Sequence, residues 1–292
     1  MCEKSFQKTK EEILKTIRKS ADNPAIPFAV FKVTGIFQSE LLEKAQTEAA
    51  FTEEEQALFD HSKEILNEIC ALAHALNVRL FIDAEESWIQ TTIDHLTYEL
   101  MAKYNQQTAI IYNTFQMYRH DMLANLTEAI AAAAEKKYYL GVKLVRGAYL
   151  EKERQKAHED EYSEPLHTCK EDTDRDYDLG VELCLKHLER VHFCMGTHNE
   201  ASCLRLCDAM NALQIPANHP NIYFAQLLGM SDNISYNLAA AGYNVAKYVP
   251  YGPVDAVMPY LFRRAEENSS IAGQTSREFA LLQKEVNRRN NL

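Results

Sequence analysis

The chain has 292 residues, 46% hydrophobic and 25% charged, with only 9 Gly and 8 Pro, which is enough apolar material for one large core and excludes collagen-like or disordered classes. Lys+Arg total 31 against 42 for Asp+Glu, and the formal net charge of −11 argues against nucleic acid as a partner. The seven cysteines contain no CxxC pair, and no run approaches the roughly 18 apolar residues of a membrane span.

In chain order, the sequence opens on an amphipathic helix over 6–18, built on Phe6, Ile13, Leu14 and Ile17. Glu3, Glu11 and Glu12 interrupt its lysines, which suits neither a secretory signal nor a transit peptide. Any such signal is expected upstream of Met1. Apolar or β-branched runs then predict strands at 28–35, 78–85, 109–116, 140–149, 191–198, 222–229 and 244–252. Helix-period stretches fall between them at 54–76, 87–103, 120–136, 176–189, 199–213 and 230–240, and a last helix at about 274–288. The strongly polar segment 151–175 reads as a long excursion, a lid or linker. One domain over 1–292 is expected.

Strands alternating with helices predict βαβ units and a parallel sheet. Neither GxGxxG nor a Walker loop follows any strand, so an open dinucleotide-binding sheet lacks support. Instead, polar residues close nearly every strand: Lys32, Asp83, Asn113, Lys143 with Arg146, His198, Gln226 and Tyr248. Catalytic groups spread over many strand ends suit the mouth of a barrel. The expected fold is therefore α/β, a (βα)8 TIM-type barrel. Only seven strands are counted, so its first strand is expected to be missing from this chain.

Three segments carry chemistry. In 254–268, Tyr260, Arg263, Arg264 and Glu267 share one helical face, which suits either an ordinary solvated face or a bidentate clamp on a carboxylate. In KLVRGAY, Lys143 and Val145 point to one side and Leu144 and Arg146 to the other, with Gly147 free to let a ligand approach the backbone. Lys143 could bind an anionic group, form a strand-end salt bridge or act as a Schiff-base nucleophile. In IDAEE, Asp83 could be a base, a metal ligand or the N-cap of the next helix. His198 in GTHN has no second His or carboxylate at metal spacing, so no metal is expected.

Together, FKVTG, IDAEE, KLVRGAY, GTHN, LLGM and KYVPYG…YLFRRAEEN resemble, in order over about 28–268, the catalytic barrel of proline dehydrogenase, the FAD-dependent first enzyme of proline catabolism. HTCKEDTDRDYD is similar to the monofunctional branch rather than the barrel fused to an aldehyde dehydrogenase. The resemblance implies that Arg263, Arg264 and Lys32 hold the carboxylate of L-proline, that Tyr149, Leu227, Tyr248 and Tyr260 wall its ring, and that Asp83 is the active-site aspartate near substrate and flavin. It implies that Ala84, Asn113, Lys143, Val145, Gly147, Ala148, Tyr149, Thr197, His198 and Glu267 line FAD.

Asn113 and Lys143 stand where bacterial members carry Gln and Arg, and Tyr248 is similar to the proline-specific type rather than to hydroxyproline oxidases. A quinone acceptor and a weak peripheral contact with a membrane surface follow from the resemblance. The expected setting is cytoplasmic, at the inner membrane if peripheral, and mitochondrial for a eukaryotic source. The alternatives are a Schiff-base barrel lyase using Lys143 and a non-catalytic truncated remnant.

Overall fold

The structure is a computed structural model that describes residues 3–290 apart from Ala256, Pro259 and residues 263–273. It divides into two units, Met1–Lys247 and Tyr248–Leu292. The first unit alternates helices and strands: α1 (Glu3–Ser20), β1 (Phe28–Lys32), α2 (Ser39–Gln46), α3 (Glu53–Ala75), β2 (Arg79–Asp83), α4 (Ser87–Tyr104), β3 (Ile111–Gln116), α5 (Met122–Glu135) and β4 (Leu140–Val145). It continues with α6 (Leu150–Glu159), α7 (Lys170–Lys186), β5 (Val191–Gly196), α8 (Glu200–Ala212), β6 (Ile222–Leu227) and α9 (Asp232–Ala240), and β7 (Val245–Tyr248) runs across the boundary. The described part of the second unit includes the C-terminal helix α10 (Gln274–Asn290) and a helical stretch at 260–262.

Seven strands form one sheet in the order β1 to β7, and each pair from β1 to β6 is parallel. Alternation sends successive side chains to opposite faces. Leu80, Ile82, Ile111, Phe115, Val142, Leu144, Phe193 and Met195 join the large core between sheet and helices, whereas Phe28, Phe81, Tyr112 and Cys194 form a second cluster with Val30, Tyr223, Ala225 and Ala246. That second cluster shows the sheet curling on itself. Phe28 of β1 stacks on Phe81 at 4.1 Å and meets Tyr223 of β6 edge-on at 4.8 Å, and Arg79 Nη1 donates to Tyr223 Oη across the same interior at 3.2 Å. The architecture is α/β and barrel-like, with seven strands among the described residues.

Local signals explain the elements. Helix α3 starts at a capping box in which Glu55 N donates to Thr52 Oγ1 and Thr52 N to Glu55 Oε2, with three acids in its first turn. Each predicted strand is present but shorter, and all except β3 end before the predicted C-terminal residue. After Lys32 the chain tightens into a 3-10 turn at Val33–Gly35, and after Val145 it leaves the sheet through Gly147, whose φ is +150°.

The segment 151–175, expected as a lid or linker, holds most of α6 and the first turns of α7. Helix α6 buries only Glu153 and Ala157, so the apolar periodicity that marks a helix is absent from its sequence. Between α6 and α7, Leu166 bridges Arg119 in antiparallel fashion, and His167 N donates to Tyr118 O at 2.7 Å, so the segment is tied to the loop after β3.

Candidate active site

The register of the sheet decides which residues can share a site. Lys32 pairs with Asp83, and Thr114 with Lys143, so Lys32, Asp83, Gln116, Lys143 and Val145 fall on the interior face at the C-terminal ends of β1 to β4. There, Lys143 Nζ donates to Asp83 Oδ1 at 2.5 Å, both residues being buried, and lies 5.3 Å from the Phe81 ring centre. Lys32 Nζ donates to Tyr149 Oη at 2.8 Å. Burial would lower the pKa of that ammonium, but the charges of Asp83 and Glu85 and the phenol of Tyr149 raise it above its ordinary value. Lys32 is therefore a cation at neutral pH. Burial pushes the Tyr149 phenol up, keeping it neutral.

The loop after β2 is a hub. Glu85 accepts from Thr34 N at 2.9 Å and Thr34 Oγ1 at 2.5 Å, its own N–H donates to Gln90 Oε1, and its carbonyl accepts from Gln116 Nε2 at 2.8 Å. Gln116 Oε1 in turn accepts from Ala148 N at 3.1 Å. One chain of hydrogen bonds thus joins the ends of β1, β2, β3 and β4. Burial raises the Glu85 carboxyl pKa, against Lys32 and Thr34, which lower it. Beyond β5, Thr197 Oγ1 accepts from Arg146 Nη1 at 2.6 Å, and His198 Nδ1 lies 3.0 Å from Ser231 Oγ.

These positions gather cations, hydroxyls and the buried carboxylates of Asp83 and Glu85 at the ends of neighbouring strands. Comparison with known proteins gives the arrangement its context. The proline dehydrogenase family model matches residues 1–277. Human mitochondrial proline dehydrogenase 1 is 41% identical over 243 residues, covering 82% of this chain and 40% of that protein. The carbapenem biosynthesis protein CarD of Pectobacterium carotovorum is 32% identical over 287 residues, covering 98% and 74%. The chain belongs to the proline dehydrogenase family.

A hydroxyproline dehydrogenase from Xenopus laevis is also similar, at 36% identity over 249 residues, covering 83% of this chain and 53% of that protein. In three dimensions the chain matches proline utilization A from Bdellovibrio bacteriovorus with a TM-score of 0.80 at 21% identity, covering 92% of this chain and 29% of that one. This likeness speaks for the fold. The chain spans 40% of the length of the human relative and 36% of that of its Drosophila melanogaster counterpart.

Several residues expected in a proline dehydrogenase site do meet: Lys32 with Tyr149, Asp83 with Lys143, and Val145 beside them on the interior face. Leu227 shares its face of β6 with Tyr223 and Ala225. Ala84 and Ala148 lie in the loops that Gln116 joins. In the second unit, Tyr248 and Tyr260 stack with ring centres 6.3 Å apart. Arg263, Arg264 and Glu267 lie outside the described residues.

Other expectations are corrected. Asn113 falls on the outer face of β3, where its Nδ2 donates to Asp94 Oδ1 of α4 at 2.7 Å, so it does not line the interior. The glutamine that faces inward is Gln116, which the sequence reading passed over. Strict alternation from Tyr112 would have found it. Gln226 likewise points outward, with Nε2 donating to Thr197 O and Oε1 accepting from Ser235 Oγ.

Arg146 is a strut rather than a mouth cation. It binds Asp174 at 2.6 Å, Thr197 and Ser202, and stacks on Tyr177 at 4.2 Å. Gly147 does leave room, but for Tyr118: a Cβ there would stand 2.3 Å from the tyrosine ring. Asp83 is not the cap of α4, because a carboxylate from another helix, Glu153, accepts from Ser87 N at 2.7 Å. Among the described residues no group of His, Cys, Asp or Glu could hold a metal ion.

Proposed function

We propose that this chain carries the barrel of an FAD-dependent proline dehydrogenase, oxidising L-proline to Δ1-pyrroline-5-carboxylate, the first step of proline degradation towards glutamate. The observation that carries the reading is the paired arrangement Lys32–Tyr149 and Lys143–Asp83 on one interior face, in a chain of the proline dehydrogenase family. The donor set fits a flavin: the Lys143 ammonium, the Thr197 hydroxyl, the His198 ring and the inward amide of Gln116 offer what a polar isoalloxazine edge and a phosphate-bearing tail require. FAD, when bound, supplies the acceptor for the hydride that leaves ring C5 as the ring nitrogen gives up its proton.

The protein's part is binding, orientation and electrostatics. Lys32, with Arg263 and Arg264, holds the substrate carboxylate, and the side chains of Tyr149, Leu227, Tyr248 and Tyr260 wall the ring so that C5 is presented in one orientation. Cations around the substrate favour loss of its ammonium proton, so no separate base is needed. Asp83 fixes Lys143 through a buried ion pair, which would be costly to leave half-made and therefore holds the lysine in place. That engagement favours an orienting role for Lys143 over that of a Schiff-base nucleophile. Electrons then leave for a quinone, with peripheral contact at a membrane surface. Among the described residues no helix is long and apolar enough to cross a membrane.

The test is an absorbance spectrum of the purified chain before and after L-proline in the absence of oxygen. A flavin band that bleaches with L-proline is the expected result. A folded, colourless protein would overturn the reading and favour the lyase or a non-catalytic remnant.

A further inference from the structure

Helix α6 is exposed along most of its length, yet Glu153 within it is 0% exposed. A carboxylate is buried at such a cost that its oxygens must be satisfied. Both are, and by one residue: Ser87 N donates to Oε1 at 2.7 Å and Ser87 Oγ to Oε2 at 2.5 Å. Ser87 opens α4, whose own N-cap residue, Glu86, makes no side-chain cap bond. Glu153 therefore caps α4 from a different helix, placing a negative charge at the positive end of the α4 dipole. Lys152 adds an ion pair to Glu86, Lys156 another to Glu43 at 3.0 Å, and Lys156 also lies 5.2 Å from the Trp88 ring centre.

The consequence lies one turn away. Tyr149 immediately precedes α6, and Glu153 N donates to Tyr149 O at 2.9 Å. Tyr149 is the residue whose phenol accepts from Lys32. A single path thus runs from the start of α4 through Glu153 to Tyr149 and Lys32, binding the loop after β4 to the loop after β2.

We propose that Glu153 is a positioning residue for the substrate end of the site: by capping α4 from α6 it sets where Tyr149, and with it the Lys32 ammonium, stands. The inference rests on the proline dehydrogenase reading for its substrate and on the geometry above for the clasp.

The experiment compares Glu153→Ala, Glu153→Gln and Ser87→Ala in the full chain, by hydrogen–deuterium exchange and by steady-state kinetics with L-proline. Glutamine can accept from Ser87 N and donate to Ser87 Oγ, so it keeps the clasp without the charge. Alanine cannot. Glu153→Ala is expected to speed exchange over 149–159 and to raise KM for L-proline roughly tenfold, the scale of a lost cap or charged hydrogen bond, while kcat stays within about twofold. Glu153→Gln should restore both towards wild type, and Ser87→Ala should shift both in the alanine direction by less.

Faster exchange with an unchanged KM would overturn the proposal, leaving a merely structural cap, and so would a Glu153→Gln variant as impaired as the alanine one. If Glu153→Ala does not fold, Ser87→Ala decides by the same two readouts. Failure of the function reading looks different. Wild type and variants alike would then leave the flavin unbleached by L-proline, which removes the substrate role, while the exchange data still judge the clasp.

Discussion

Lys32 shows how much a single side chain can settle. Its ammonium touches the Tyr149 phenol and feels Asp83 and Glu85, so it keeps its charge and, standing at the exposed end of β1, can receive a substrate carboxylate. Removing one partner of a charged hydrogen bond typically costs 1.5–3 kcal/mol, so Lys32→Ala is expected to raise KM for L-proline roughly 10- to 100-fold with flavin content unchanged. Steady-state kinetics alongside the flavin spectrum check this, and an unchanged KM would remove Lys32 from the clamp.

At the same scale the sequence was legible for residues whose chemistry is unusual at a strand end, such as Asp83 and Lys143. It misled for Asn113, because a polar residue near the end of a strand looks the same whether it faces the interior or the helices. Only the register, read from Tyr112 packing inward beside Phe81, separates Asn113 from Gln116.

Among the elements, β4 and the loop that follows it show why two glycines of similar appearance differ. A Cβ at Gly141 would lie 2.3 Å from the Ile111 carbonyl oxygen, which belongs to the neighbouring strand and cannot move without breaking the sheet. At Gly147 the obstacle is the Tyr118 ring, but the backbone has a φ of +150° that resists a side chain whatever the space. Both alanine substitutions are expected to destabilise by at least the ~1–3 kcal/mol of an overpacked core.

The two differ in rescue. Adding Tyr118→Ala should leave the Gly141→Ala loss untouched and recover part of the Gly147→Ala loss, the remainder being backbone strain. Denaturant midpoints of the single and double variants decide it, and equal rescue at both positions would contradict the argument. The strands themselves were legible because apolar runs buried on both faces stand out from their polar connections. Helix α2 was not found, since eight residues with only Leu41 and Leu42 buried give no readable period. Helix α6 was hidden by its charge, and its one decisive contact is made by a glutamate.

For the molecule as a whole, two buried groups oppose each other as pH changes. Asp94 in α4, held by Asn113 and Gln90, has its carboxyl pushed up to about 6 by burial, from an ordinary value of 3.8. A raised carboxyl binds its proton more tightly in the folded state, so its favourable contribution is present below about pH 4 and is lost as pH rises through 6. His192, on β5, is pushed down to about 4 from 6.5, chiefly by burial and also by Arg79 and His219. The unfolded chain then takes up the proton first, and stability is lost as pH falls from 6.5 towards 4.

Each shift amounts to about 3 kcal/mol at most, at 1.36 kcal/mol per pKa unit, and their slopes have opposite sign between pH 4 and 6. Both connecting donors reach Asp94 through Oδ1, so an asparagine there can keep the two bonds while shedding the charge. Asp94→Asn is therefore expected to gain stability over wild type above pH 6 and not below 4. His192→Asn should show its gain relative to wild type on the acid side alone. Urea midpoints of the three proteins at pH 3.5, 5.5 and 7.5 test both statements. Two variants that depart from wild type in the same direction with pH would mean that these groups do not set the acid response, and that other titrating groups of this acidic chain do.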